Sequence, residues 1–264
     1  MDDNYQTYLN RVARMTLPEA YKSQIQHIQE SSKFSLTPEG ERQAMPFPGY
    51  AVMTPPSREE ESENLAFYAK LQSYQQELLE LPLNSELIMP VPPTSLHLTL
   101  ADLVWESAYR DICEKNPDFE QQLRSCFAEI FQQYQESMTN ATHPIRWQML
   151  GLIVMPRSIG ICLAPQDQSC YEQITNLRRG IFQNPKLIAL GIEQNYHFTA
   201  HITLGYFGEI SPDIDRDHLS SMLQELNQRW LLSLPEFVIR RAELRKFDDM
   251  TRFYREPEWP ILVI

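Results

Sequence analysis

The stretch His197-Phe-Thr-Ala-His-Ile-Thr-Leu-Gly-Tyr-Phe-Gly208 constrains this chain more than any other. His197, Thr199, His201 and Thr203 fall on one side of it, and Phe198, Ala200, Ile202, Leu204 and Tyr206 on the other. Period-two alternation with β-branched and aromatic residues is the pattern of a half-buried strand. Such a strand needs a core behind its apolar side, and its imidazoles and hydroxyls then face solvent or a ligand. A shorter copy, Ser95-Leu-His97-Leu-Thr99-Leu-Ala101, lies earlier in the chain. Two strands of this form point to one site built from two halves.

The rest of the chain decides what surrounds those strands. At 264 residues and 42% hydrophobic content it can bury a real core, in one large domain or two small ones. A net charge of −12 argues against binding long duplex nucleic acid through its backbone, which needs a Lys/Arg surface. A local basic pocket for one small phosphate is compatible with it. Cys113, Cys126, Cys162 and Cys170 have no paired spacing and read as free thiols. No apolar run spans a bilayer: Met149–Met155 is too short and holds Gly151. With no basic-then-apolar leader at Met1-Asp-Asp-Asn-Tyr5, a cytoplasmic chain without membrane attachment is expected.

In chain order, helices are predicted over Tyr5–Arg14 and Pro18–Glu30, with Pro18 suited to a first turn. Lys33–Pro48, broken by Pro38, Gly40, Pro46 and Pro48, reads as irregular, and Gly49–Thr54 as a strand. Ser57 and the acids after it predict a capped helix over Arg58–Glu80. Helical pattern covers Ser107–Met138 with an interruption at Asn116-Pro117, and Arg146–Met155 with Ser158–Ala164 forms a hairpin about Pro156-Arg157. Further helices are expected over Gln168–Arg179 and Asp213–Leu232, the second opened by Ser211-Pro212, and strands over Phe237–Phe247 and Arg252–Tyr254. This mixture predicts an α+β architecture with sheet and helix layers.

Three of the six histidines, His97, His197 and His201, are followed two residues later by threonine. Neighbours at i and i+2 on a strand face are separated by roughly 6.5–7 Å of rise, which suits two groups touching different atoms of one phosphate. His197 and His201 also have His-x-x-x-His spacing, but no Glu follows His197 as in a metalloprotease helix. On a strand those two histidines would be roughly 13 Å apart, too far to share an ion, so no metal is expected. His27 and His218 fall in predicted helices and His143 in a loop before Pro144; all three read as surface residues.

Leu96-His-Leu-Thr-Leu100 and Ala200-His-Ile-Thr-Leu204 resemble the two signature motifs of the two-histidine phosphoesterase superfamily, which includes RNA 2′,3′-cyclic phosphodiesterase/2′-5′ ligase proteins. Pro46-Phe-Pro-Gly-Tyr50, followed by a strand, resembles a bacterial branch of it. The resemblance implies a bilobal domain over 45–264, two mainly antiparallel sheets flanked by helices around a central cleft, with residues 1–44 as an added helical extension. It implies that His97 and His201 act as general base and general acid, and that Thr99 and Thr203 contact the phosphate, with no cofactor. This chain departs from the pattern by placing His197-Phe-Thr199 directly before His201-Ile-Thr203. His201 is preferred for the second motif because Ile202 and Leu204 complete the His-aliphatic-Thr-aliphatic form, leaving His197 as a neighbour of the substrate's base or sugar.

Residue chemistry agrees with those roles. Two imidazoles with reference pKa near 6.5 can hold opposite protonation states near neutral pH, and threonine hydroxyls can donate to phosphate oxygens. Arg245, with Arg240, Arg241 and Lys246, could supply phosphate or nucleotide contacts, although Glu243 among them fits an ion-paired strand face. Tyr206 and Trp105 could stack on a base, while strand parity sends Tyr206 to the core; Tyr50 and Arg157 lie near strand ends, where loops line clefts. The expected partner is a small nucleotide or short oligonucleotide, hydrolysed at a cyclic phosphodiester. The alternative is a non-catalytic protein that holds a nucleotide or phosphate ligand in the same cleft.

Overall fold

The computed structural model describes residues 2–59, 62–84, 86–137, 144–233 and 235–264, so the loop expected at His143 lies outside the described residues. Helices α1 (Tyr5–Met15) and α2 (Pro18–Ile25) come first, with the Asn4 side chain capping α1 at Thr7 N and Pro18 opening α2. A hairpin follows, β1 (Phe34–Leu36) with β2 (Arg42–Ala44), in the stretch whose prolines read as irregular. Those prolines fall in the turn (Pro38) or beyond the paired residues (Pro46, Pro48), so none removes a ladder hydrogen bond.

The first five-stranded sheet joins β3 (Gly49–Met53), β5 (Thr99–Trp105), β10 (Arg241–Phe247), β11 (Phe253–Tyr254) and β12 (Ile261–Val263). The second runs in the order β4 (Ile88–Pro90), β8 (His201–Phe207), β7 (Ser158–Pro165), β6 (Ile145–Met155), β9 (Glu236–Ile239). Every strand pairing found is antiparallel. Helices α4 (Glu106–Lys115) and α5 (Phe119–Ser137) lie against the first sheet. The second carries α1, α2, α6 (Gln168–Phe182) and α8 (Arg216–Trp230). α3 (Leu65–Leu79) and the short α7 (Pro185–Ala189) complete the helices. The α+β class is therefore as expected, with one His-x-Thr segment per sheet.

Several boundaries differ from the expectation. The helix predicted from Arg58 starts at Leu65, after 3₁₀ turns at Ser57–Glu59 and Ser62–Asn64. Ser57 Oγ donates to the Pro93 carbonyl (2.6 Å), and Asn64 spends its amide on both backbone groups of Val238 (2.8 and 2.9 Å), so neither caps a helix. α8 begins at Arg216 because Asp215, not Ser211, accepts from a first-turn amide, His218 N (2.9 Å). α6 runs through Gly180 to Phe182. Phe237–Phe247 is not one strand: at Arg240, whose guanidinium forks onto Glu63, the chain leaves the second sheet and enters the first.

The N-terminal helices share the main core. Tyr8, Val12, Tyr21 and Ile25 are buried in the same hydrophobic cluster as both sheets. Their phenols do not go unpaired: Tyr8 donates to the Leu163 carbonyl (2.9 Å) and Tyr21 to the Leu152 carbonyl (2.8 Å). A second, smaller cluster of Ala51, Met53, Phe247, Met250 and Phe253 sits on the other face of the first sheet. Phe34, Phe47, Trp105 and Tyr206 pack against it, so it forms an apolar wall between the two sheets.

Candidate active site

Leu96, Leu98 and Leu100, like Ala200, Ile202 and Leu204, are buried, which turns His97, Thr99, His201 and Thr203 the opposite way. All four line one cleft of about 380 Å³ between the sheets. That volume is in the range of roughly 300–1,000 Å³ typical of small-molecule sites. Both expected strands begin later than their sequence pattern: β5 at Thr99 and β8 at His201, so His97 stands in the extended segment just before its strand.

Each imidazole is fixed by the same device. His97 Nδ1 is 2.7 Å from the carbonyl of Ser95, and His201 Nδ1 is 2.8 Å from the carbonyl of Thr199. A carbonyl only accepts, so Nδ1 carries the proton and Nε2 presents the lone pair. Among the described residues no hydrogen bond reaches either Nε2, or the hydroxyl of Thr99 or Thr203. Burial pushes the His97 pKa down to about 4, against smaller upward pulls from the Ser95 carbonyl and Asp102, with Arg245 and His201 adding to the fall. His201 is also lowered, chiefly by burial, with the Thr199 carbonyl and Asp102 opposing and Lys33 adding to the fall. Both rings are therefore neutral in the free protein near pH 7.

Beyond each threonine the strand carries an extra residue. Thr99 pairs with Met53 but Ala101 with Val52, leaving Leu100 as a bulge; a second bulge at Leu103 follows. In β8, Thr203 pairs with Gly160 and Gly205 with Ile159, leaving Leu204 as a bulge. A bulge resets which face the later side chains take. Asp102 and Trp105 thus line the cleft beside Thr99, and Tyr206 lines it beside Thr203. Parity alone sends Tyr206 to the core, and the Leu204 bulge is why the structure does not. The carbonyls of the two leucines that follow the threonines are both met by buried side chains. Arg178 donates to Leu100 O, and Gln75 Nε2 donates to Leu204 O (2.7 Å).

Asp102 accepts from the Tyr196 hydroxyl (2.7 Å), whose oxygen in turn accepts from Asp102 N (3.0 Å). Phe253 lies against the His97 ring, centroids 4.2 Å apart. Lys33 and Arg157 bring positive charge to the lining. Of these, Asp102, Lys33 and Phe253 escape the sequence reading. Only the consecutive apolar pairs Leu100-Ala101 and Leu103-Val104 hint at the bulges that expose Asp102.

His197, Thr199, Arg245 and Tyr50 are not on the cleft lining. His197 and Thr199 precede β8, in a segment tied to the N-terminus: Arg11 donates to Thr199 Oγ1 and to Phe198 O (2.6 Å each). His197 is exposed, with Nδ1 3.5 Å from Asp3. Arg245 shares the cleft-side face of the first sheet with its partner Ala51, but it is buried beneath the surface. Its guanidinium is held by Glu243 and Glu59 (2.5 Å each) and donates to the Phe253 carbonyl (2.9 Å), so it supports the residue that touches His97. Tyr50 is buried against Glu120 and Trp259 on the helix side of that sheet.

Among the described residues, no group of three or more His, Cys, Asp or Glu is arranged to hold a metal ion, and no helix is long and apolar enough to cross a membrane. No family model matches the chain, and no curated protein matches it in sequence. Its fold is similar to that of ATU0111 from Agrobacterium tumefaciens str. C58, a conserved protein of unknown function, with a TM-score of 0.57 at 19% identity over 89% of this chain and 96% of that one. TT0787 of Thermus thermophilus aligns at a TM-score of 0.42 and 17% identity over 82% and 94% of the two chains. E. coli LigT complexed with 3′-AMP aligns at 0.42 and 13% identity over 83% and 99%.

Proposed function

We propose that the cleft is the active site of a metal-independent phosphodiesterase that hydrolyses a cyclic phosphate of a small nucleotide or short oligonucleotide. One observation carries the reading. Two imidazoles from different sheets, each with Nδ1 committed to the carbonyl two residues back, turn Nε2 into the same cleft with a threonine hydroxyl two residues on.

In the proposed step a water oxygen attacks phosphorus while the bond from phosphorus to one ribose oxygen breaks. The neutral histidine takes the water proton and the protonated one donates to the departing ribose oxygen, so the site ends with its protons exchanged between the two rings. Thr99 and Thr203 donate to the non-bridging oxygens, where charge accumulates. The fall of the His97 pKa to about 4 keeps that ring unprotonated and supports His97 as the base, which leaves His201 as the acid. Because both rings are neutral when the site is empty, the proton on His201 has to enter with the substrate, whose anionic phosphate favours an imidazolium beside it. The apolar wall of Met53, Phe247, Met250 and Phe253 offers a surface for a sugar or base.

The test is turnover of a 2′,3′-cyclic nucleotide, a 3′,5′-cyclic nucleotide and a cyclic dinucleotide in the presence of EDTA. Hydrolysis of at least one is expected. Failure on all three, with phosphate-ligand binding retained, would replace the enzyme by a binding protein.

A further inference from the structure

We propose that Lys33 and Arg157 form an anion subsite for a second phosphate group of the substrate, distinct from the phosphate between the histidines. This inference rests on the nucleotide reading above and narrows it. The substrate class becomes a nucleoside cyclic phosphate bearing a further phosphate, either a 5′-phosphate or the next internucleotide linkage.

Lys33 is held by aromatic rings. Its ammonium lies 4.5 Å from the centroid of Phe47, 4.7 Å from that of Tyr206 and 3.4 Å from the Tyr206 hydroxyl. Two aromatic faces hold the cation in position without neutralising it. No ion pair to Lys33 is found among the described residues, in a chain with 35 acidic and 23 basic side chains. Its charge is felt at the reacting centre, since it is one cause of the lowered His201 pKa. Arg157, in the turn between β6 and β7, donates to a neutral partner, Gln29 Oε1 (3.2 Å).

Backbone pairing brings the two cations to one part of the cleft. Gln29 N donates to Pro156 O (2.6 Å), Ser31 N to Phe207 O (2.8 Å), and Phe207 N to Arg157 O (3.1 Å). Residues 29–33 are thereby stitched along the turn that carries Arg157 and the end of the strand that carries His201. The cleft's charges are sorted by sheet: these cations stand at the second, whereas Asp102, on β5 of the first, is the carboxylate among the described lining residues. A second anion is attracted to the Lys33 side and repelled from Asp102, which instead suits hydroxyl or amino donors of a sugar or base.

Calorimetry at fixed ionic strength, with adenosine 3′-monophosphate and adenosine 3′,5′-bisphosphate as the probes, reads the subsite without requiring turnover. Wild-type protein is expected to prefer the bisphosphate by about tenfold or more, as one charge-assisted contact allows. Lys33→Met should bring that ratio close to one, Arg157→Gln should reduce it, and Lys33→Arg should keep it. A merely structural Lys33 would weaken both probes alike and leave the ratio intact, which overturns the proposal. So does a wild-type ratio of one. Turnover of 2′,3′-cyclic AMP by the same preparation is scored separately. Its absence beside an intact ratio rejects the hydrolase reading and keeps the subsite; its presence beside a ratio of one does the reverse.

Discussion

Committing Nδ1 of His97 and His201 to backbone carbonyls confines their acid–base chemistry to Nε2 and makes the burial of each ring the control on its charge. Burial lowers both pKa values, so above about pH 6.5 the free protein holds two neutral imidazoles and lacks an acid. kcat/KM should therefore peak on the acid side of 6.5 and fall as the pH rises, and a plateau extending to pH 8 would contradict the assignment. The proposed mechanism therefore requires anion binding to restore a proton. Phosphate titrated at pH 7 in two buffers of different ionisation enthalpy should show proton uptake, and equal heats in both buffers would count against it. Asp102 is the carboxylate that pulls both histidines upward. Asp102→Asn should lower them further, move the optimum to lower pH and reduce kcat/KM at pH 7. Loss of activity with an unmoved pH profile would leave Asp102 a structural role only.

The strands show what a sequence reveals of such a site and where it stops. His97, Thr99, His201 and Thr203 were legible because period-two alternation holds across them. The strand boundaries were not, because Arg11 and the carbonyl of Thr199 commit residues before His201 to other contacts. Asp102 and Tyr206 were hidden by bulges, which shift parity through pairing with a neighbour that the strand's own residues do not encode. The Leu204 bulge depends on Gly160: a Cβ there would lie 2.4 Å from Ile202 O and 3.1 Å from Thr203 Cα. Gly160→Ala should cost roughly 1–3 kcal/mol, the usual penalty of overpacking, and should displace Thr203 and lower kcat. A urea midpoint and kcat equal to wild type would show that the bulge tolerates the methyl. Lys33 was missed for another reason. Pro38, Gly40, Pro46 and Pro48 make its surroundings read as irregular, and nothing local specifies that residues 29–33 dock beside Phe207.

At the scale of the whole molecule, the two sheets are tied together close to the histidines. Arg178, fully buried in α6, donates to Leu100 O in the first sheet and pairs with Asp2 at 2.7 Å. Asp2 in turn accepts from Phe198 N (2.9 Å), three residues before His201. One guanidinium thus links the bulge after Thr99 to the approach of the second motif, through a residue at the far N-terminal end of the described chain. Arg178→Met would leave the Asp2 carboxylate and the Leu100 carbonyl without that partner. Breaking such a buried pair typically costs about 3–5 kcal/mol, so the urea midpoint should fall clearly, and a midpoint within error of wild type would contradict the linkage. Helices α1 and α6 were legible from their apolar periodicity and end signals. Their docking was not, because it rests on Tyr8, Arg11, Arg178 and Asp2 meeting groups far away in sequence.

The central claim is that the two histidines work as one opposed acid–base pair. Turnover of the preferred cyclic nucleotide by His97→Ala, His201→Ala and the double variant, each confirmed folded by circular dichroism, tests it most directly. Each single change should lower kcat by roughly 10²–10⁴, and the double change should cost little more than either alone, because groups that act as a unit are not additive. Wild-type turnover by either single variant would contradict the account.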